Sequence, residues 1–341
     1  MRSPGNFRCF LLIIIISLAI SACLPERPAE KFSLASTPSQ TPEVTLPPAT
    51  PSPTRKPSST PTLPQTFTPS PIPSNTPSKV PTQTSTATPE KCESPGTVST
   101  GSYVSQIAGS DMAYRIYLPP CYGEDGHTYP VLYMFHGNVS TDSQWDDLGL
   151  DEAAEELILA GQISPLIIVM PEGGTIANNS SGGPYSFEGV ILNELIPHIE
   201  ANYCAWSLPA GRALGGLSRG GYWSLEIAFR NASKVASVGA HSAALVDTHA
   251  GPDLNPQFTG LSNDLGNLRI YMDIGAEDWY ITNIRRLHED MEKAGIPHTW
   301  VLNDGIHEDP YWADHVSDYL RWYSEGWSNE RFAYPPCLAG Q

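Results

Sequence analysis

Between residues 92 and 341, short runs rich in β-formers alternate with helical stretches, and this alternation constrains the fold more than any other feature of the chain. It predicts strands over 103–107, 113–117, 131–135, 166–170, 212–217, 235–238, 268–274 and 299–302. Helices are expected over 151–160, 188–203, 219–230, 284–294 and 311–326. Gly161 and Gly295 stop two of them, because glycine takes the left-handed conformation that ends many helices. The run LIIVM at 166–170 is apolar throughout, as a strand covered on both faces must be. Strand and helix in turn over 250 residues imply an α/β fold, a mostly parallel central sheet with helices on both faces. Sites in such sheets lie beyond the carboxyl ends of the strands. The sixth and seventh strands are joined by about 30 residues with Gly and Pro throughout, too few for a large cap domain, so the site should be open.

The rest of the 341 residues is of another kind. Residues 24–91 hold 17 Pro, 14 Thr and 10 Ser, so 41 of 68 positions are of these types and no hydrophobic period runs through them. Such a segment cannot bury enough apolar surface to offset chain entropy and is expected to be a disordered linker. At about 3.1 Å per residue in polyproline II it reaches at most ~200 Å. Ahead of it, Arg2 and Arg8 precede the apolar run FLLIIIISLAISA. Its thirteen residues span roughly 20 Å as a helix, short of the ~30 Å of a bilayer core. That reads as a secretory signal rather than a membrane span. The run ends Ile20-Ser21-Ala22-Cys23, which resembles a bacterial lipobox and implies cleavage after Ala22 and lipidation of Cys23. The expected organisation is a signal at 1–22, a lipid-anchored linker at 23–91 and a folded domain at 92–341, secreted and facing outward, with the anchor as its only membrane contact.

Cysteine usage fits that setting. Cys9 leaves with the signal, and Cys92, Cys121, Cys204 and Cys337 remain as an even set in an oxidising compartment, which predicts two disulfides. Of three connectivities, Cys92–Cys337 with Cys121–Cys204 is the one expected, since Cys92 opens the domain and Cys337 closes it. Charge excludes one class of partner. Residues 92–341 carry 32 Asp and Glu against 11 Lys and Arg, a formal −21 without a basic stripe, so nucleic acid is not expected to bind.

The chemistry lies in Gly216-Leu217-Ser218-Arg219-Gly220. A GxSxG match arises by chance about 0.1 times in a chain this long, so context must carry the reading. ALGGL before it is a strand end and RGGYWSLEIAFR after it a helix, the setting of a nucleophile elbow. A serine hydroxyl is weakly nucleophilic and needs a base and a group that orients the base, following it in the order Ser, acid, His. Asp278 stands in the loop after the seventh strand and His307 in the loop after the eighth. Asp273 is the rival acid but lies within its strand, and Glu277 is one residue away and stays open. Among nine histidines, His298 precedes its strand and His288 and His315 sit on helices, which leaves His307 as the base. An oxyanion needs two N–H donors: the Arg219 amide, and Gly137 or Asn138 in the loop after the third strand. His136 is expected to anchor that loop.

The segments YRIYLPPCY, YPVLYMFHG, IIVMPEGG, NELIPHIEANY, ALGGLSRGG and GIHEDPYW, in this order, resemble the esterase D family of α/β-hydrolases. The family includes feruloyl and acetylxylan esterases, enterochelin esterases, S-formylglutathione hydrolases and mycolyltransferases. The resemblance spans residues 92–327 and implies an α/β-hydrolase fold, Ser218, Asp278 and His307 as the triad, and Gly137, Asn138 and the Arg219 amide as the oxyanion hole. Many members carry Met or Gln where this chain has Arg219, whose side chain could select acidic substrates if it leaned over the cleft. Trp279, beside Asp278, is the expected substrate contact. The HED triplets at 288–290 and 307–309 point their residues to different sides, so no metal is expected, and the scheme calls for no cofactor. The expected function is hydrolysis of carboxylic esters, with acylated or feruloylated plant polysaccharide as the substrate class by analogy. An acyltransferase of the mycolyltransferase kind and a non-catalytic binding module on a hydrolase fold are the alternatives.

Overall fold

Eight strands form one sheet in the order β1-β2-β4-β3-β5-β6-β7-β8. They are β1 Thr97–Ser105, β2 Ser110–Leu118, β3 Val131–Phe135, β4 Ile167–Pro171, β5 Arg212–Leu217, β6 Ser237–His241, β7 Arg269–Gly275 and β8 Thr299–Asn303. β1 and β2 form an antiparallel pair, β2 runs antiparallel to β4, and every other pairing is parallel. This computed structural model describes residues 92–338; the leader, Cys23 and the Pro/Thr/Ser tract expected from the sequence lie outside the described residues. No helix among the described residues is long and apolar enough to cross a membrane.

The helices are α1 Gln144–Asp147, α2 Leu150–Leu159, α3 Gly174–Asn179, α4 Phe187–Val190, α5 Ile196–Asn202, α6 Arg219–Arg230, α7 Pro256–Ser262, α8 Ile281–Lys293 and α9 Asp309–Ser324. A π turn at Ile191–Leu195 joins α4 to α5, so the single helix expected there is continuous but locally widened. Alternate strand residues face opposite layers, as the two-residue period requires. Val131, Tyr133, Phe135, Leu214, Val238 and Met272 pack with residues of α4, α5, α6 and α8. Leu132, Met134, Ile168, Leu217 and Tyr271 pack with residues of α1, α2 and α9 on the other side. The central strands β3, β4, β6 and β7 are almost wholly buried, which is why β3 and β4 read as unbroken apolar runs.

Two strands depart from the sequence reading. β1 begins at Thr97 rather than 103, because TVSTGSYVS is an outer strand with mostly polar, solvent-facing side chains and little apolar signal. β6 lies over Ser237–His241 rather than 235–238, and its SVGAH sequence is buried yet poor in β-formers.

The disulfide pairing expected from the sequence is wrong. The bonds are Cys92–Cys121 and Cys204–Cys337. The register explains both. Thr97 pairs with Leu118, so the chain entering β1 passes the chain leaving β2 and brings Cys92 to Cys121. Near the other end, Cys337 donates its N–H to Gly126 O, Pro335 O accepts from the Thr128 N–H, and Tyr129 N–H donates to Cys204 O. The 126–129 segment thus has the carboxyl-terminal segment on one edge and Cys204 on the other. Chain position could not reveal this three-way alignment.

Candidate active site

Ser218 follows β5 directly and precedes α6, and its backbone is held at φ 53°, ψ −115°. A non-glycine residue seldom takes positive φ, and it persists only where neighbours fix it. Here the Ser218 N–H donates to His241 O at 2.9 Å, and Ser218 O accepts from the Ala244 N–H at 2.8 Å. The flanking glycines are there for close approach. A Cβ on Gly216 would lie 2.4 Å from the carbonyl carbon of Gly220, and one on Gly220 would lie 2.1 Å from Phe135 O. Nothing larger lets β5, α6 and the end of β3 meet at this point.

The turn puts Ser218 Oγ 2.8 Å from His307 Nε2, and His307 Nδ1 lies 2.7 Å from Asp278 Oδ2. With Asp278 ionised, Nδ1 carries the proton and Nε2 accepts from the serine, the tautomer that a general base requires. The Asp278 side chain is fully buried, and its second oxygen accepts the Tyr280 N–H at 2.7 Å, which fixes the carboxylate plane. Trp279, Tyr280 and Trp312 surround the imidazole at 4.7, 5.1 and 5.0 Å between ring centres. The sequence left Asp273 and Glu277 open as acids. Asp273 belongs to a different cluster, described below, and the hydrogen bond to His307 is made by Asp278.

The oxyanion candidates separate. The Gly137 N–H donates to Gln144 Oε1 at 2.8 Å, so Gly137 is not the free donor the sequence allowed. The Asn138 N–H has no partner among the described residues. The Arg219 amide heads α6, where first-turn N–H groups have no carbonyl within the helix. His136 anchors this loop as expected: its Nε2 accepts the Gly173 N–H at 2.8 Å, so its Nδ1 is the donor to Gly137 O at 2.6 Å.

Arg219 is neither over the cleft nor solvated. Its side chain turns inward, donates to Ala177 O at 2.9 Å and Ser180 O at 2.7 Å, and lies 3.3 Å from His249 Nδ1. The guanidinium also stacks over Tyr222 and Trp223. Burial lowers its pKa, and burial together with this cation pushes the His249 imidazole down to about 4. The side chain is therefore not part of the lining of the cleft at Ser218. Trp279 is 67% exposed on the rim of a cleft of about 700 Å³ that also takes in Asn138, Ser218, His307, Glu308 and Trp312. No group of three or more His, Cys, Asp or Glu suited to a metal ion occurs among the described residues.

One cluster escaped the sequence reading. Directly behind the elbow, His241 Nδ1 donates to Asp273 Oδ1 at 2.7 Å, and Tyr311 and Tyr319 donate to Asp273 Oδ2 at 2.7 and 2.8 Å. Tyr323 Oη lies 3.2 Å from His241 Nε2, and Tyr319 stacks on the imidazole. All five residues are buried. The available signal was a histidine closing β6 and an aspartate inside β7, each in a mostly apolar buried strand.

The family described as "Putative esterase" matches residues 105–323. The chain belongs to this esterase family. Curated relatives include the esterase Rv1288 of Mycobacterium tuberculosis, 37% identical over 148 residues, which are 41% of this chain and 31% of that protein. An endo-1,4-beta-xylanase/feruloyl esterase of Xylanibacter ruminicola is 32% identical over 146 residues, 40% of this chain and 20% of that protein. The chain thus spans a third or less of the length of these relatives. Among solved structures, a ferulic acid esterase superposes with a TM-score of 0.62 at 23% identity, covering 68% of this chain and 98% of the other. The S-formylglutathione hydrolase FrmB of Staphylococcus aureus gives 0.56 at 17% identity, covering 67% and 96%. These neighbours establish that the esterase-family domain has the α/β-hydrolase fold.

Proposed function

We propose that this domain is a serine hydrolase of carboxylic esters, with Ser218 as nucleophile, His307 as general base and acid, and Asp278 as the group that orients the imidazole. The observation that carries the reading is the unbroken chain from Ser218 Oγ through His307 to Asp278, with links of 2.8 and 2.7 Å, on a strained strand-to-helix turn. As Oγ attacks the ester carbonyl, its proton passes to Nε2. Negative charge then develops on the carbonyl oxygen, where the Asn138 and Arg219 amides would receive it. His307 returns the proton to the leaving alkoxide, which departs as the alcohol and leaves an acyl-serine. Water, deprotonated by the same imidazole, releases the acid and restores Ser218.

The open cleft and the exposed Trp279 suit a bulky ester, and acylated or feruloylated polysaccharide is the proposed substrate class. Support comes from the relatives named for feruloyl esterase activity. Two disulfides suit an oxidising compartment, and the lipid-anchored, outward-facing location is proposed from the leader and Cys23.

The test is steady-state turnover of 4-nitrophenyl acetate, methyl ferulate and acetylated xylan, each with and without an acceptor sugar. Hydrolysis by the wild type that falls by about 10⁴-fold or more in Ser218→Ala is the expected result. Transfer to the sugar in place of hydrolysis would redirect the reading to an acyltransferase. No turnover of any ester by the wild type would leave only a binding module.

A further inference from the structure

Gln144 is a cleft-wall residue on the short helix α1, and the triad chemistry gives it no part. Its side chain nevertheless joins two loops of the site. Oε1 accepts the Gly137 N–H at 2.8 Å, and Nε2 donates to Asp309 Oδ1 at 3.0 Å. Asp309 is the first residue of α9, two positions beyond His307. We propose that Gln144 is a positioning residue that sets the aim of the Asn138 amide at the oxyanion and locks that amide to the loop bearing the base. The inference rests on the esterase reading of the same site.

Peptide geometry fixes the direction of the Asn138 N–H. Gly137 O accepts from His136 Nδ1 at 2.6 Å and from the Ser140 N–H at 3.3 Å. A trans peptide is planar, so its carbonyl and the next N–H point in opposite directions. Holding Gly137 O on the loop side therefore turns the Asn138 N–H outward, and that N–H is the one without a partner among the described residues. The preceding peptide must be held as well, or Gly137 could rotate freely about its own φ and ψ. Gln144 supplies that second restraint. The loop is in place against the nucleophile, since a Cβ on Gly137 would sit 3.7 Å from Ser218 Cβ. The base of the helix is also fixed, because the indole of Trp145 donates to Phe135 O at 3.0 Å. The amide group of Gln144 is suited to the bridge because it offers an acceptor oxygen on one side and an NH₂ donor on the other. A carboxylate at the same place could still accept from Gly137 but would face Asp309 as a like charge.

The experiment compares kcat and KM for 4-nitrophenyl acetate in Gln144→Leu, Gln144→Glu and the double variant Gln144→Glu with Asp309→Asn. Removing a whole oxyanion donor costs about 10²–10³ in kcat, so misaiming one should cost about 10- to 100-fold. Gln144→Leu and Gln144→Glu are expected to lose that much in kcat with KM within about threefold of wild type. The double variant is expected to recover most of the loss. Its new amide at position 309 would donate to the new carboxylate at position 144, which still accepts from the Gly137 N–H. Mere packing by Gln144 would not produce that rescue. Wild-type turnover reports on the esterase reading itself, and the ratio of variant to wild type reports on Gln144. A kcat within twofold of wild type in Gln144→Leu, or no recovery in the double variant while both proteins melt within a few degrees of wild type, would overturn the assignment.

Discussion

At the scale of single residues, the site depends on side chains whose surroundings leave them one arrangement. Asp278 accepts from His307 with one oxygen and from the Tyr280 N–H with the other, so its plane and its charge are both committed. Asp278→Asn keeps the shape but presents an amide that can donate to Nδ1, which turns the imidazole to the wrong tautomer. A kcat loss of about 10³–10⁴ with little change in melting temperature is expected, measured by turnover and thermal denaturation together. Arg219 combines two separate roles. Its backbone N–H, at the head of α6, is the proposed oxyanion donor, whereas its guanidinium holds the carbonyls of Ala177 and Ser180 in a buried pocket. Arg219→Met would strip those carbonyls of charged donors and is expected to cost about 2–3 kcal/mol in urea unfolding. The sequence located Arg219 from the motif but could not show which way a long side chain leaves the helix.

At the scale of elements, the triad follows β5, β7 and β8, and a buried polar cluster ties β6, β7 and α9 together behind it. His241 ends β6, Asp273 is in β7, and Tyr311, whose hydroxyl accepts from Asn303 Nδ2, joins β8 to α9. A buried network of this kind is stable only when each member is satisfied. Tyr319→Phe should therefore cost about 1–2 kcal/mol, read by denaturant unfolding, because Asp273 keeps its other donors. On α6 another buried carboxyl has its pKa raised. Glu226 is fully buried near Glu188, and burial together with that neighbour pushes its pKa up to about 10. Arg230 Nε lies 3.1 Å from Glu226 but also reaches Glu188, so one cation serves two carboxyls and does not offset the desolvation. A carboxyl with a raised folded pKa favours the fold most below its unfolded value of 4.5, and that advantage is lost as pH rises toward about 10. Glu226→Gln is accordingly expected to raise stability at pH 8 and to flatten the pH dependence between about 5 and 10, as urea titrations at several pH values would show.

At the scale of the molecule, the two disulfides sit at the end of the sheet where the central strands begin, away from the triad. They close loops of 29 and 133 residues. Chain entropy alone assigns them about 3.5 and 5 kcal/mol. Removing Cys204–Cys337 as a paired serine variant should therefore lower stability more than removing Cys92–Cys121, a comparison for calorimetry. Much of this architecture is legible in the chain. β3 and β4 announce themselves because both of their faces are buried and every position is apolar. The elbow is legible because close backbone approach at Gly216 and Gly220 forces glycine into the sequence itself. What the sequence hides is what depends on alignment across space. The disulfide partners follow strand register, the Gly137 amide is claimed by a glutamine seven residues on, and the Asp273 cluster draws its partners from β6 and α9.

In the proposed reaction Ser218 is a nucleophile activated by His307. Mass-spectrometric mapping of a fluorophosphonate adduct tests it most directly. A single adduct on the peptide containing Ser218, absent in Ser218→Ala and formed at least about a hundredfold more slowly in His307→Gln, is the result the geometry requires. An adduct on another residue, or labelling of Ser218 at an unchanged rate without the imidazole, would contradict it.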